Sequence, residues 1–211
     1  MFGEGIGSNT HKTPLSSLGD IVSGVTKGRK INELDILEIP YMRVANVKDG
    51  YMDLSEIKTI PATNNEIQLY HLEYGDVLLT EGGDPDKLGR GAIWFGEINL
   101  CIHQNHIFRV RLNKDQINYQ YFSLYLQEAF TKQYFLKAAK QTTGIASINM
   151  TQLKALPVFV PPLPLQNAFA AFVQQVDKSK FSDRKWMEIL VSYTTAGQFY
   201  RKCIKAIHLT G

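Results

Sequence analysis

The chain is poor in cysteine: Cys101 and Cys203 are the only two in 211 residues, far apart and with no C-x-x-C spacing. That shortage argues against a disulfide framework and fits a reducing cytosol, where both act as small hydrophobes or idle thiols. Long apolar runs are missing too. No stretch approaches the eighteen or so apolar residues of a membrane span, and Met1 to Thr10 is glycine-rich without a basic leader, so a cytoplasmic protein with no membrane partner is expected. Charge of one sign is also lacking, since 23 Lys+Arg against 20 Asp+Glu leave only +3. Such a balance does not announce an acidic partner, although local basic clusters can still track phosphates. No internal repeat is visible.

Catalytic signatures are equally scarce. The loop Glu81 to Gly91 is not a phosphate-cradling loop, because no G-K-[ST] closes it, nor a calcium loop, because Leu88 and Phe95 stand where oxygen ligands belong. No carboxylate-and-lysine nuclease set follows it, and no G-x-S-x-G nucleophile elbow exists. A methylase would need a cofactor-binding glycine turn and an Asn or Asp before Pro-Pro and an aromatic, yet the only Pro-Pro, Pro161-Pro162, follows Val160. His103 and His106 invite a metal reading, but their odd spacing on a strand points the rings to opposite faces and no Cys or carboxylate completes a set. We therefore expect no metal, no cofactor and no catalytic residue.

What is present suffices for a core, with 44% hydrophobic residues. Residues 1–12 read as a flexible tail, and Leu15 to Gly24 as one short helical turn or an anchoring segment ending at Gly24. Tyr41 to Val47 alternates as a strand and turns through Lys48-Asp49-Gly50 into a hairpin. Thr63 or Asn64 caps a short helix to Tyr70. Val77 to Thr80, Gly91 to Gly96 and Asn105 to Leu112 read as further strands, the last with Ile107, Arg109 and Arg111 on one face. Asn118 caps a helix expected to run to about Lys140, and Lys132, Lys137 and Lys140 in or near its last turns suit the helix dipole better than a DNA contact. Gln141 to Asn149 reads as a turn, Met150 to Leu156 as a short helix and Val158 to Val160 as a strand.

Two segments carry more than structure. Lys27-Gly28-Arg29-Lys30 is either an exposed turn or a phosphate clamp in which Gly28 permits close backbone approach. Glu81 to Gly91, with four glycines, a proline and five charges, is either a plain surface loop or a substrate-facing one. Beyond them, Pro161, Pro162 and Pro164 remove backbone donors and fix φ, so Pro161 to Pro164 reads as a rigid extended lead-in. From Leu165 onward, Leu165, Phe169, Phe172 and Val176 repeat at heptad spacing, continuing less regularly through Trp186, Tyr193 and Ile207. One continuous helix to Ile207 would be a rod of roughly 65 Å.

The succession Leu18-Gly19-Asp20-Ile21, Tyr41-Met42-Arg43-Val44-Ala45-Asn46-Val47, Gly75-Asp76-Val77-Leu78-Leu79-Thr80-Glu81-Gly82, Asn105, Thr143-Gly144, Ile148, Leu153 and Pro161-Pro162-Leu163-Pro164-Leu165-Gln166 resembles the specificity (S) subunits of Type I restriction-modification systems. The resemblance covers about Leu15 to Phe181. It implies an α+β fold, a mixed, strand-rich target recognition domain over residues 13–160, followed over 161–211 by a proline lead-in and a long spacer and dimerisation helix. It implies a non-catalytic reader of double-stranded DNA, partnered by methyltransferase (M) subunits, a restriction (R) subunit and a second copy or another S half. A full S subunit usually carries two such domains and two such helices, so this chain looks like a half-subunit or a fragment. Met1-Phe2-Gly3-Glu4 resembles the end of a preceding family helix. After Phe181 the expected Leu-rich seam gives way to Trp186, Tyr193 and Tyr200.

Under that reading, Lys27, Arg29, Lys30 and the hydroxyl of Thr143 are the expected phosphate contacts. Lys87, Arg90, Gln104 and Asn105 are the expected base contacts, because Arg suits guanine and Asn or Gln suits adenine. Leu165, Phe169, Phe172 and Val176 form the expected docking seam. The competing reading is a coiled-coil scaffold with no sequence-specific DNA binding, which leaves the basic and amide-rich loops unexplained.

Overall fold

The computed structural model describes residues 12–32, 35–83, 88–142 and 145–180. The chain divides into a compact body, Thr13–Val158, and a second unit comprising Met1–Lys12 and Phe159–Gly211. In chain order the strands and helices are β1 Lys12–Pro14, β2 Gly19–Ser23, β3 Ile36–Met42, β4 Lys58–Thr63, α1 Asn64–Tyr70, β5 Val77–Thr80, β6 Gly82–Gly83, β7 Gly91–Ile93, β8 Ile102–His103, β9 Ile107–Leu112, α2 Tyr119–Leu126, α3 Ala129–Ala138, β10 Lys140–Thr142, β11 Ile145–Ser147, α4 Met150–Lys154, β12 Pro157–Phe159 and α5 Leu163–Lys180. The class is α+β, strand-rich with a C-terminal helix, as expected.

Three of the four sheets lie wholly within the body. The central one has four strands in the order β2-β9-β5-β7, and it is antiparallel throughout. Leu78, Leu79, Ile107 and Val110 on its inner strands are fully buried, which is why Val77 to Thr80 reads as a continuous apolar run rather than an alternating one. A second sheet, β4-β3-β8, packs Ile39, Tyr41, Ile60, Ala62 and Ile102 around Val25. The third joins the hairpin β10-β11 to β6. Leu15 N donates to Leu156 O at 2.9 Å and ties the start of the body to its end.

Local chemistry explains the helices. Thr63 Oγ1 accepts from Glu66 N at 3.2 Å while Thr63 N donates to the Glu66 carboxylate at 3.0 Å, a reciprocal cap that starts α1. Asn118 Oδ1 accepts from Gln120 N and Tyr121 N, starting α2. Asn149 and Gln152 cap α4 in the same reciprocal way.

Several expectations are corrected. Within Leu15 to Gly24 the helical turn is confined to a 3-10 turn over Leu15–Ser17, which hands over to β2, and β2 pairs along its whole length with β9. The strand read over Tyr41 to Val47 begins earlier and ends at Met42, and its partner is the distant β4, so the Lys48 to Tyr51 turn closes only the isolated bridge Val47–Met52. The helix expected to run from Asn118 to Lys140 breaks into α2 and α3, because Glu128 adopts an extended backbone at φ −65°, ψ 144°. Lys132 therefore sits in a first helical turn, where a cation opposes the dipole, and only Lys137 keeps the terminal position. Gln141 to Asn149 contributes strands rather than a mere turn. The last helix begins at Leu163, two residues early, since Pro164 is tolerated in a first turn whose N–H groups have no intrahelical acceptor. Anything after Lys180, the far end of the expected rod included, lies outside the described residues.

Candidate nucleic-acid interface

The strand directions of the central sheet place the candidate residues. Register pairs Ser23 with Phe108, Thr80 with Ile107 and Leu79 with Gly91. One end of the sheet thus gathers the exits of β2 and β5 and the entrances of β9 and β7. Lys27 to Lys30 follow β2, Gln104 and Asn105 precede β9, Glu81 follows β5, and Arg90 precedes β7. Three strand spacings of about 4.8 Å make this end about 14 Å across.

Backbone bonds lock two of these loops together. Val25 N donates to His103 O at 2.8 Å and Asn105 N donates to Val25 O at 2.9 Å. Ser23 Oγ donates to Asn105 O at 2.5 Å. Gly24 makes this approach possible, because a Cβ there would fall on the His103 carbonyl. Behind the turn His103 is fully buried, its Nδ1 donating to Tyr70 O at 3.0 Å. Burial pushes its pKa from 6.5 down to about 4.

Each expected contact takes a particular place. Lys27 and Lys30 are exposed and make no ion pair among the described residues. Arg29 is different: its guanidinium binds both oxygens of Glu66 at 2.5 Å and reaches Pro61 O at 2.8 Å. That fork holds the loop on Glu66, the reciprocal partner of the Thr63 cap of α1, and the Arg29 bonds keep the Glu66 carboxyl below the usual range. Gln104 is half-buried, with its side-chain oxygen accepting from Val44 N at 3.4 Å, and Asn105 is half-buried beside it. Arg90, half-buried, lines a cleft of about 180 Å³ with Asp49, Ser123, Gln127 and Lys132. Lys87 and Thr143 lie outside the described residues. Their flanks do meet, since Gly82 and Gly83 of β6 pair with Ser147 and Ala146 of β11.

On α5, where the docking seam is expected, Leu165, Phe169 and Val176 are half-buried and Phe172 is 44% exposed. The most buried positions of α5 are Gln166 and Ala170, one turn apart, with Gln166 donating to Pro161 O at 2.7 Å. The buried stripe is therefore offset by one residue from the apolar heptad.

Two features escaped sequence reasoning. Glu81 and His106, 25 positions apart, meet in a hydrogen bond of 2.6 Å at the centre of the sheet end. No spacing rule signals such a pair. Lys132 reaches the Arg90 cleft only because the helix breaks before it. Conversely, Arg109 and Arg111 look like nucleic-acid cations and are not free to be so. Arg109 is buried against Asp20 at 2.8 Å, and Arg111 grips the buried Asp76 at 2.8–2.9 Å and Glu73 at 2.6 Å. Among the described residues no group of His, Cys, Asp and Glu is placed to hold a metal ion, and no helix is long and apolar enough to cross a membrane.

A strand-rich α+β body leading into a helix is a fold shared with two solved chains. One is the HsdS subunit from Thermoanaerobacter tengcongensis, with TM-score 0.55 over 96% of this chain and 46% of that one at 17% identity. The other comes from a structure of a type I R-M system concerned with complex assembly and conformational transition, with TM-score 0.57 over 97% of this chain and 47% of that one at 15% identity. The chain belongs to the Type I restriction modification DNA specificity domain family, whose model matches residues 11–186. It is similar to the MjaX type I restriction enzyme specificity subunit of Methanocaldococcus jannaschii, 28% identical over 188 residues, which are 88% of this chain and 44% of that protein. It is also similar to the StySPI specificity subunit of Salmonella potsdam, 26% identical over 168 residues, 79% of this chain and 36% of that protein. The chain spans less than half the length of either relative.

Proposed function

We propose that this chain is a non-catalytic DNA-reading unit of a Type I restriction-modification system, carrying one recognition domain that reads one half-site. The observation behind this is the gathering of Lys27, Lys30, Arg90, Gln104 and Asn105 at one end of one sheet, in a chain of the specificity-domain family. An end about 14 Å across is comparable with a major groove about 12 Å wide. Lys27 and Lys30 on the β2 flank hold phosphates, and Gln104 and Asn105 read base edges with Lys87. Arg90, expected among the base contacts, opens on a cleft with Lys132 at the β7 flank, and we place the two together on the backbone. Thr143 keeps its expected phosphate role. Arg29 acts one step back, holding the loop.

The helix carries the second half of the function. In this reading α5 presents Leu165, Phe169, Phe172 and Val176 to methyltransferase subunits or to a second copy, and methyl transfer and cleavage reside in partner chains. Two copies related by a two-fold axis read inverted half-sites.

Reconstitution with the cognate methyltransferase subunit, followed by sequencing of methylated DNA, tests this. Methylation at one recurrent sequence is expected. No sequence-specific methylation, together with no salt-dependent duplex binding, sinks the proposal and returns the chain to a coiled-coil scaffold.

A further inference from the structure

The centre of the reading end is occupied by an acid. Glu81 follows β5 and His106 precedes β9, and these are the two inner strands of the sheet. Glu81 is held from three sides: its N–H donates to His106 O at 3.0 Å, its carbonyl accepts from Ile148 N at 2.9 Å, and its Oε2 accepts from His106 Nδ1 at 2.6 Å. An ionised carboxylate only accepts, so the imidazole supplies the proton of that bond. Both side chains nevertheless face solvent, Glu81 at 35% and His106 at 58% exposure. Oε1 of Glu81 has no partner among the described residues.

Cations flank this pair on either side, Lys27 and Lys30 beyond β2, Arg90 and Lys132 beside β7. A carboxylate between them repels any phosphate that comes near, by about 1 kcal/mol at 4 Å even in bulk water. Its place suits a groove floor rather than a backbone. In the major groove guanine offers only acceptors, thymine an acceptor and a methyl group, and adenine a donor with the N7 lone pair beside it; cytosine offers the N4 amine alone. The lone acceptor Oε1 matches that pattern.

We infer that Glu81, held by the positioning residue His106, is a base-reading carboxylate that selects a cytosine in the target. The inference rests on the DNA-reading function proposed above and names part of what is read. The test is selection of duplexes from a random pool by the full chain at fixed salt, followed by sequencing. The wild-type chain should enrich cytosine at one position. Glu81→Gln, nearly isosteric, should lower that preference roughly 10-fold, the scale of one good base contact, and leave other positions unchanged. His106→Ala should weaken the same position alone, and His106→Asn, whose amide keeps a donor near Nδ1, should restore it. An unchanged preference in Glu81→Gln, or a uniform gain in affinity for every sequence, overturns the inference while leaving the recognition function standing. A wild-type chain that enriches no sequence overturns both.

Discussion

At the scale of single residues, formal charge is a poor guide to which cations face a ligand. Arg29, Arg109 and Arg111 all meet acids from elsewhere in the chain, Arg109 finding Asp20 at a separation of 89 residues. Lys27 and Lys30, by contrast, stay in solvent. His103 illustrates the same dependence on surroundings. Burial is the first cause of its lowered pKa, about 4 against an ordinary 6.5, with the Arg109 charge adding to it. The unfolded chain therefore takes up a proton at His103 before the folded one does. Its contribution to stability is complete above pH 6.5, falls as pH drops to about 4, and is flat below, a loss of up to about 3 kcal/mol. Urea midpoints measured across that range should show the decline, and His103→Asn, which keeps a donor for Tyr70 O but does not titrate, should flatten it. An equal slope in the variant would assign the decline elsewhere. Cys101 is legible from sequence as an idle thiol, and burial indeed pushes it up to about 12.

At the scale of elements, caps were legible and breaks were not. Thr63 and Asn118 start their helices where a side-chain oxygen two or three positions ahead of a free N–H predicts, and Asn149, not singled out in the sequence, starts α4 in the same way. Nothing in the apolar stripe from Phe122 to Leu136 shows the interruption at Gln127 and Glu128, because both residues are good helix formers. The break is fixed by packing, with Thr131 Oγ1 donating to Tyr125 O at 2.8 Å across it. Glycine positions divide by what surrounds them. Gly24 lies against the His103 carbonyl, whereas Gly28, at φ +76°, has nothing within 4 Å of its would-be Cβ. Gly24→Ala should force the Lys27 loop and the Gln104 turn apart and cost about 3 kcal/mol. Gly28→Ala should cost about 1 kcal/mol, for backbone strain alone. Thermal unfolding of the two variants distinguishes these, and equal losses would contradict the close approach.

At the scale of the whole molecule, the sheet brings to one end the loops over which the proposed reading function is distributed. Replacing Lys27 and Lys30 together by Ala should lower the salt-dependence slope of duplex binding by up to about 2, near 0.9 per phosphate contact. Arg29→Ala should leave that slope alone and instead lower stability by about 1 kcal/mol, since its partner is Glu66 rather than DNA. Titrations at several salt concentrations separate the two. A slope reduced by Arg29→Ala would return that residue to the phosphate contacts.

The sequence by itself determined the helix starts at Thr63 and Asn118 and the family resemblance that implied a strand-rich α+β class, because these rest on residues close together in the chain: alternation, caps and short motifs. Tertiary structure alone decided which candidates stand together. Antiparallel pairing folds residues as far apart as Lys27, Arg90 and Gln104 onto one sheet end, and no local spacing encodes that. It also decided that Arg29 meets an acid and that Glu81 sits beside His106. Each of those outcomes depends on which distant backbone arrives within about 3 Å.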